Sequence, residues 1–105
     1  MSFSDNLKRL PPVAHLASLQ LLDNTGQVIA VIENKPGQAG SLAVYAALTE
    51  RHGGIQSAAA AEGLSLYAEH TADARANPGK HPNIDRLIAV QETGVTYTVR
   101  LIPAQ

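Results

Sequence analysis

The chain has no cysteine, no tryptophan and only one phenylalanine and three tyrosines among its 105 residues. The lack of cysteine excludes a disulfide scaffold, a thiolate nucleophile and every Cys-based zinc or iron–sulfur site, and it fits a reducing compartment. Alanine supplies 17 of the 47 apolar residues and contributes little burial per residue. We therefore expect helices packed closely on a sheet, and a homodimer that buries further apolar surface.

The chain also lacks an excess of either charge and a long apolar run. Eight Lys and Arg residues stand against nine Asp and Glu residues, with the two signs interspersed. A general nucleic-acid binder needs clustered basic residues, so no such partner is expected. No stretch approaches the roughly 18 apolar residues of a membrane span, and the start MSFSDNLKRL lacks the order of a signal peptide. We expect a soluble cytoplasmic protein that does not bind membranes, with residues 1–105 forming a single domain.

The strand patterns predict an α+β fold with a small, mainly antiparallel sheet. Residues 18–33 form a predicted hairpin, because two apolar segments flank the turn residues Asn24, Thr25 and Gly26. The uninterrupted run Val28–Ile32 predicts a central strand covered on both faces. Residues 95–102 alternate between apolar and polar side chains and predict a third strand.

Helical patterns fill most of the remaining chain. The spacing predicts helices over residues 2–9, 42–52, 55–77 and 83–91, with Ser41 and Asn83 as N-caps and a break at Gly63. Several of these helices, within residues 41–92, should pack against one face of the sheet, and the opening helix should cover part of the other face.

The densest polar segment surrounds two of the four histidines. His70 and Asp73 lie three residues apart on one predicted helix face, and the following turn brings His81 or Asp85 back toward them. These four residues are the candidate catalytic groups, and His70, Asp73 and His81 are candidate ligands for Zn²⁺, Mn²⁺ or Fe²⁺. The alternative is a solvated surface pair with capping chemistry at His81, since the spacing matches no zinc signature.

A second candidate site is the loop that enters the helix beginning near residue 42. Free backbone N–H groups from Gly40 to Leu42, together with Lys35, can hold a carboxylate or a phosphate, and the turn at Lys80 can contribute a second cation. Ser41 lies within this run of donors. Neither a nucleotide-hydrolase phosphate loop nor a dinucleotide fingerprint is present. The alternative is an ordinary Gly and Pro loop with a serine cap.

Other polar residues have structural explanations. His15 lies in an apolar run, which predicts a satisfied, partly buried imidazole. His52 falls in the last turn of a predicted helix, where a cation is favoured. Tyr45 and Tyr67 fall on inward helical faces, where core packing with the hydroxyl at a polar rim is expected. The serines have no recognisable nucleophile context.

Four segments resemble one family of short bacterial proteins. They are Glu33-Asn-Lys-Pro-Gly, Gly40-Ser-Leu-Ala-Val-Tyr45, Leu64-x-Leu-Tyr-Ala-Glu-His-Thr-x-Asp-Ala-Arg75 and Pro78-Gly-Lys-His-Pro-Asn-Ile-Asp-Arg-Leu87. On these segments the chain resembles the domain-of-unknown-function family 2322 over nearly its whole length. The resemblance implies a bacterial, stand-alone, soluble protein and implies no activity, cofactor or catalytic residue.

Two functional hypotheses of different classes follow from the residues. The first is a non-enzymatic binding or interaction module that recognises a small anion or a protein partner through residues 35–41 and the Lys80-His81 turn. The second is a small metal-dependent or acid–base enzyme that uses His70, Asp73, His81 and Asp85. No cofactor is specified by either pattern.

Overall fold

The computed structural model describes residues 2–105 and has an α+β architecture of five helices and three strands. The elements in chain order are α1 (Phe3–Leu7), β1 (Leu16–Leu22), β2 (Val28–Glu33), α2 (Ala39–His52), α3 (Ser57–Tyr67), α4 (Glu69–Ala76), α5 (Pro82–Thr93) and β3 (Thr98–Pro103). The predicted fold class is confirmed, including the hairpin and the late third strand.

The sheet is antiparallel throughout and has the strand order β2-β1-β3. The expectation that Val28–Ile32 forms a covered central strand is therefore wrong. β1 is central, with Leu19 and Leu21 fully buried, whereas the β2 side chains of Val28, Ile29 and Val31 are 38%, 41% and 47% exposed. Both other strands pair with β1, so β2 lies at an edge, and its apolar run carries no periodicity that would indicate this.

α2 packs against the sheet through β1 and β2, and α3 packs against both α2 and α5. α1 does not take the expected position over the other face of the sheet. It packs against α3 and α2, with the Phe3 ring stacked on Tyr67 at a centroid distance of 5.2 Å. Phe3 and Leu7 form the apolar side of α1, and the helix layer offers them an apolar surface.

The break in the third predicted helix lies at Ala68 and not at Gly63. Ala68 has a φ of 53° and separates α3 from α4. α3 continues through Gly63 without a break. A side chain at this position would meet the neighbouring helices, since a Cβ atom would lie 2.6 Å from Leu87 Cδ1 and 2.9 Å from Leu48 Cδ1. Gly63 thus permits close packing of α3 on α2 and α5.

Two helices begin earlier than predicted. α2 has Gln38 as its N-cap and α5 has His81, so Ser41 and Asn83 lie inside the first turn rather than at the cap. In α5 the cause is Pro82, whose fixed φ suits the first helical position. Neither N-cap side chain bonds to the backbone of its helix.

The two inward tyrosines and His52 lie where predicted, whereas His15, which was expected to be partly buried, is exposed. Tyr45 and Tyr67 are buried in the core, and His52 lies in the last turn of α2, where its ring pairs with Glu62 at 2.8 Å. β3 begins three residues later than predicted, although Tyr97 already forms an isolated bridge with Ile55. Among residues 2–105, no helix has the length and apolar character needed to cross a membrane.

Candidate anion-binding site

A cavity of about 360 Å³ lies where the first turns of α2 and α5 meet α1, α3 and α4. We refer to it as the two-helix cavity. It is lined by Phe3, Gly37, Ala39, Gly40, Ser41, Tyr67, His70, Lys80, His81, Pro82, Asn83 and Ile84. Phe3 and Ile84, which are 81 positions apart in the chain, thus share one concave surface.

Each of the two helix starts has backbone N–H groups without a partner in residues 2–105, although the Leu42 N–H, which was expected to be free, donates to the Gln38 carbonyl at 2.9 Å. Within residues 2–105, no hydrogen bond joins the N–H groups of Gly40, Ser41 and Asn83 to another group of the chain. The first N–H groups of a helix have no intrahelical partner, and the helix dipole places partial positive charge beside them. Two such ends at one cavity form a surface suited to a negatively charged ligand.

The start of α5 is held by a buried tyrosine and an arginine. The Tyr45 hydroxyl donates to the Asn83 carbonyl at 2.5 Å, and burial raises the pKa of Tyr45 to about 12, so it stays a donor. Arg86 donates to the Asn83 side chain at 2.8 Å and to the Tyr45 oxygen at 3.1 Å. These contacts fix the first turn of α5 against α2.

Ser41 is oriented by Tyr67. The Tyr67 hydroxyl donates to Ser41 Oγ at 2.7 Å, and burial, the main cause, raises the pKa of Tyr67 well above its ordinary value. Because Ser41 Oγ already accepts this hydrogen bond, its own proton is available for a ligand. The pair therefore supplies one further donor at the start of α2.

Asp73 connects the two basic residues of the following turn, Lys80 and His81. Its Oδ2 atom lies 2.7 Å from His81 Nε2 and 2.9 Å from Lys80 Nζ. The hydrogen bond from His81, and then the one from Lys80, hold the pKa of Asp73 down to about 2. Asp73 is therefore an ionised acceptor, so His81 carries a proton on Nε2 and directs Nδ1 elsewhere.

The two imidazoles of the polar cluster are neighbours. The ring centroids of His70 and His81 lie 5.6 Å apart, and Phe3 contacts His70 edge-on at 5.1 Å. α4 reaches this position because the chain turns sharply at Ala68, and because Glu69 Oε1 accepts the Phe3 N–H at 2.7 Å. The hydrogen bond to the Phe3 backbone is the main cause that lowers the pKa of Glu69.

Two of the candidate residues lie elsewhere. Lys35 pairs with Glu33 at 2.6 Å on an exposed part of the loop and does not line the two-helix cavity. Asp85 accepts the Gly79 N–H at 2.9 Å and borders a separate cavity beside Ala74 and Ile88. The structure thus brings together Gly40, Ser41, His70, Lys80 and His81 around one cavity, with Asp73 bonded to the last two.

No group of three or more His, Asp or Glu side chains within residues 2–105 is arranged to share a metal ion. The trio of His70, His81 and Asp73 is not such a group, although the two rings are neighbours and His81 bonds to Asp73. In this trio, Asp73 Oδ2 is already occupied by the His81 ring and Lys80.

Comparison with known proteins identifies the family of the chain. The family model described as an uncharacterized protein conserved in bacteria (DUF2322) matches residues 3–101. The chain belongs to this family. No curated protein and no solved structure matches it.

For this member of DUF2322, the sequence indicated the polar residues of the cavity but not its apolar wall. Phe3 was not among the candidate site residues, and Tyr67 was expected in the core with its hydroxyl at a polar rim, yet both line the cavity. Phe3 lies more than 60 positions from its ring partners. No local spacing carries that information, because the contact depends on how α1 docks on α3.

Proposed function

We propose that the protein is a non-enzymatic binding module for a small anion of the size of phosphate or a phosphorylated or carboxylated metabolite. The observation that carries this proposal is the convergence of two helix N-termini with unsatisfied N–H groups on one cavity. One helix N-terminus stabilises an anion by only about 0.3–1 kcal/mol at an exposed site. In this cavity two helix N-termini act on the same ligand.

The charges around the two-helix cavity support an anionic ligand. Among residues 2–105, its charged or titratable lining groups are Lys80, His70, His81 and the buried phenol of Tyr67, without a carboxylate. Asp73 pairs with Lys80 and His81 without lining the cavity itself. A ligand anion can therefore approach the two helix ends without meeting a like charge.

The cavity volume limits the size of the ligand. A volume of about 360 Å³ lies at the lower end of the range typical of small-molecule sites, roughly 300–1,000 Å³. The wall formed by Phe3 and Ile84 is apolar, whereas the donors lie at the helix starts. This arrangement suits a compact ligand with one anionic group and a small apolar part.

Calorimetric titration with inorganic phosphate, sulfate and citrate tests the proposal. We expect saturable binding of at least one of these anions, weakened by about five-fold or more in Lys80→Ala. Lys35→Ala is the matched control, because it removes the same charge from an exposed site outside the cavity. Equal weakening in both variants, or no binding in the wild type, overturns the proposal.

A second function, acid–base catalysis, is favoured by the contact between Asp73 and His81. An ionised carboxylate at Nε2 holds the orientation of the ring and leaves Nδ1 as the free ring nitrogen, the arrangement expected of a general base and its orienting group. His70 lies beside it and supplies a second titratable ring. The metal content of untagged protein, measured by elemental analysis and compared with that of His70→Ala and His81→Ala, distinguishes a metal-dependent enzyme from a metal-free acid–base enzyme.

We also propose that the protein works in the cytoplasm and self-associates as a homodimer. The absence of cysteine supports a reducing compartment. The exposed apolar side chains of Val28, Ile29 and Val31 on β2 support self-association. Sedimentation velocity at micromolar concentration tests the dimer: the mass of two chains agrees with it, and the mass of one chain contradicts it.

A further inference from the structure

The outer edge of β3 carries unpaired backbone groups. Tyr97 directs its N–H and C=O away from β1 and pairs both with Ile55, at 2.9 and 3.0 Å. Because these directions alternate along an antiparallel strand, Val99 and Leu101 direct the same groups outward. No hydrogen bond outside the sheet joins either residue to the chain between residues 2 and 105.

A groove runs beside this edge on the helix side of the sheet. A cavity of about 310 Å³ lies between Leu101 of β3, Ala46 and Glu50 of α2, and the Pro11-Pro12 segment. Leu101 is 43% exposed although it points toward this side. A strand added beside β3 would place the side chain opposite Leu101 in the groove, since opposed residues share a face of the sheet.

The other face of the same edge carries a lone positive charge. Arg100 lies between Val99 and Leu101, is exposed, and donates to Gln20 Oε1 at 3.3 Å. It takes part in no ion pair with any residue from 2 to 105. An added strand would place the side chain opposite Arg100 beside its guanidinium, where a carboxylate is favoured and a cation is not.

A second copy of the chain fits this edge poorly. Pairing Val99 with Leu101 of the copy would place the two Arg100 side chains directly opposite each other, which is unfavourable. A shift in one direction meets Tyr97, whose outward groups are taken by Ile55. A shift in the other direction meets Pro103, which has no N–H to donate.

We propose that the β3 edge binds an extended segment of another protein by strand addition, and that this segment carries an acidic residue between two apolar residues. The acidic side chain pairs with Arg100, and one apolar side chain enters the groove beside Leu101. The main-chain hydrogen bonds come from Val99 and Leu101, as in other strand-addition complexes. This surface shares no lining residue with the two-helix cavity.

Amide NMR titration with a designed peptide tests this inference. The probe is a capped pentapeptide of the order threonine, leucine, glutamate, leucine, threonine, and its control has lysine in place of glutamate. We expect the acidic peptide to shift the resonances of Val99, Leu101 and Ala46, with the lysine peptide at least about five-fold weaker, the factor that corresponds to roughly 1 kcal/mol for a cross-strand charge pair.

Charge reversal supplies the decisive comparison. In Arg100→Glu the preference should reverse, so that the lysine peptide binds more tightly, while Arg75→Glu, on the exposed surface of α4, should leave it unchanged. A well-dispersed spectrum shows that each variant is folded. Equal binding of the two peptides, shifts confined to β2, or dilution-dependent shifts at β3 without peptide, which would indicate a second copy, overturn the proposal.

Discussion

Asp73 Oδ2 accepts a hydrogen bond from His81 Nε2 at 2.7 Å and lies 2.9 Å from Lys80 Nζ. One carboxylate oxygen thus fixes both basic side chains of the turn that precedes α5. Both basic residues also line the two-helix cavity. The contact joins α4 to the start of α5 and places the Lys80 ammonium and the His81 ring beside two helix N-termini.

The Asp73 contact predicts a characteristic pH dependence of stability. Because the folded-state pKa of Asp73 is lowered to about 2, its contribution is fully present above the unfolded-state pKa of about 4. That contribution is lost as the pH falls from about 4 to about 2. The stability difference between the wild type and Asp73→Asn, measured by urea unfolding, should be constant above about pH 5 and shrink below pH 4. A difference that does not change with pH would contradict this account.

Ala68 predicts a stabilising substitution. Its φ of 53° and ψ of −117° form a conformation that glycine adopts readily and alanine does not. Ala68→Gly should raise the free energy of unfolding by about 1 kcal/mol, because it relieves this strain. Ala72→Gly, at an exposed helical position in α4, is the control and should lower it by about 1 kcal/mol. Loss of stability in both variants would show that Ala68 is unstrained.

At Gly63, by contrast, a change from glycine to alanine should destabilise the protein. Helix propensity alone favours Gly63→Ala by about 1 kcal/mol. However, the new Cβ would overlap Leu87 and Leu48, both fully buried, and overpacking of this kind costs about 1–3 kcal/mol. We expect a net loss of stability in thermal or urea unfolding. A clear gain would mean that the three helices do not approach each other as closely as described.

The hydrogen bond between Glu69 and the start of α1 should determine the local stability of that helix. Its carboxylate accepts the Phe3 N–H at 2.7 Å and anchors the start of a five-residue helix. Glu69→Ala should accelerate amide hydrogen exchange in residues 3–7 while leaving β1 unchanged. Glu92→Ala, at an exposed site on α5, is the matched control. Equal acceleration at β1 would indicate global destabilisation and not a local release of α1.

The parts of the fold that follow local periodicity were predictable from the sequence. The hairpin, the third strand and the helices around Tyr45 and Leu87 follow apolar spacing and turn chemistry. The central position of β1 was not predictable, since strand order depends on where β3 pairs after an intervening helical segment. Gly63 was misinterpreted because a glycine required for packing and a glycine that ends a helix look the same in one sequence.

The candidate site was predictable in its polar residues and not in its geometry. The spacing of His70, Asp73 and His81 indicated a cluster, and the structure brings these three together. Asp85 was expected with them, but it bonds to the Gly79 N–H beside a different cavity. That outcome depends on the conformation of the turn between α4 and α5, which no periodicity describes.

The most direct test of the central claim is a phosphate titration followed through the amide resonances of Gly40, Ser41 and Asn83. If one anion contacts both helix N-termini, all three resonances should move together with one apparent dissociation constant, and the effect should weaken in Lys80→Ala. Movement at only one helix end, different midpoints at the two ends, or no movement at millimolar phosphate, sulfate or citrate would contradict the account.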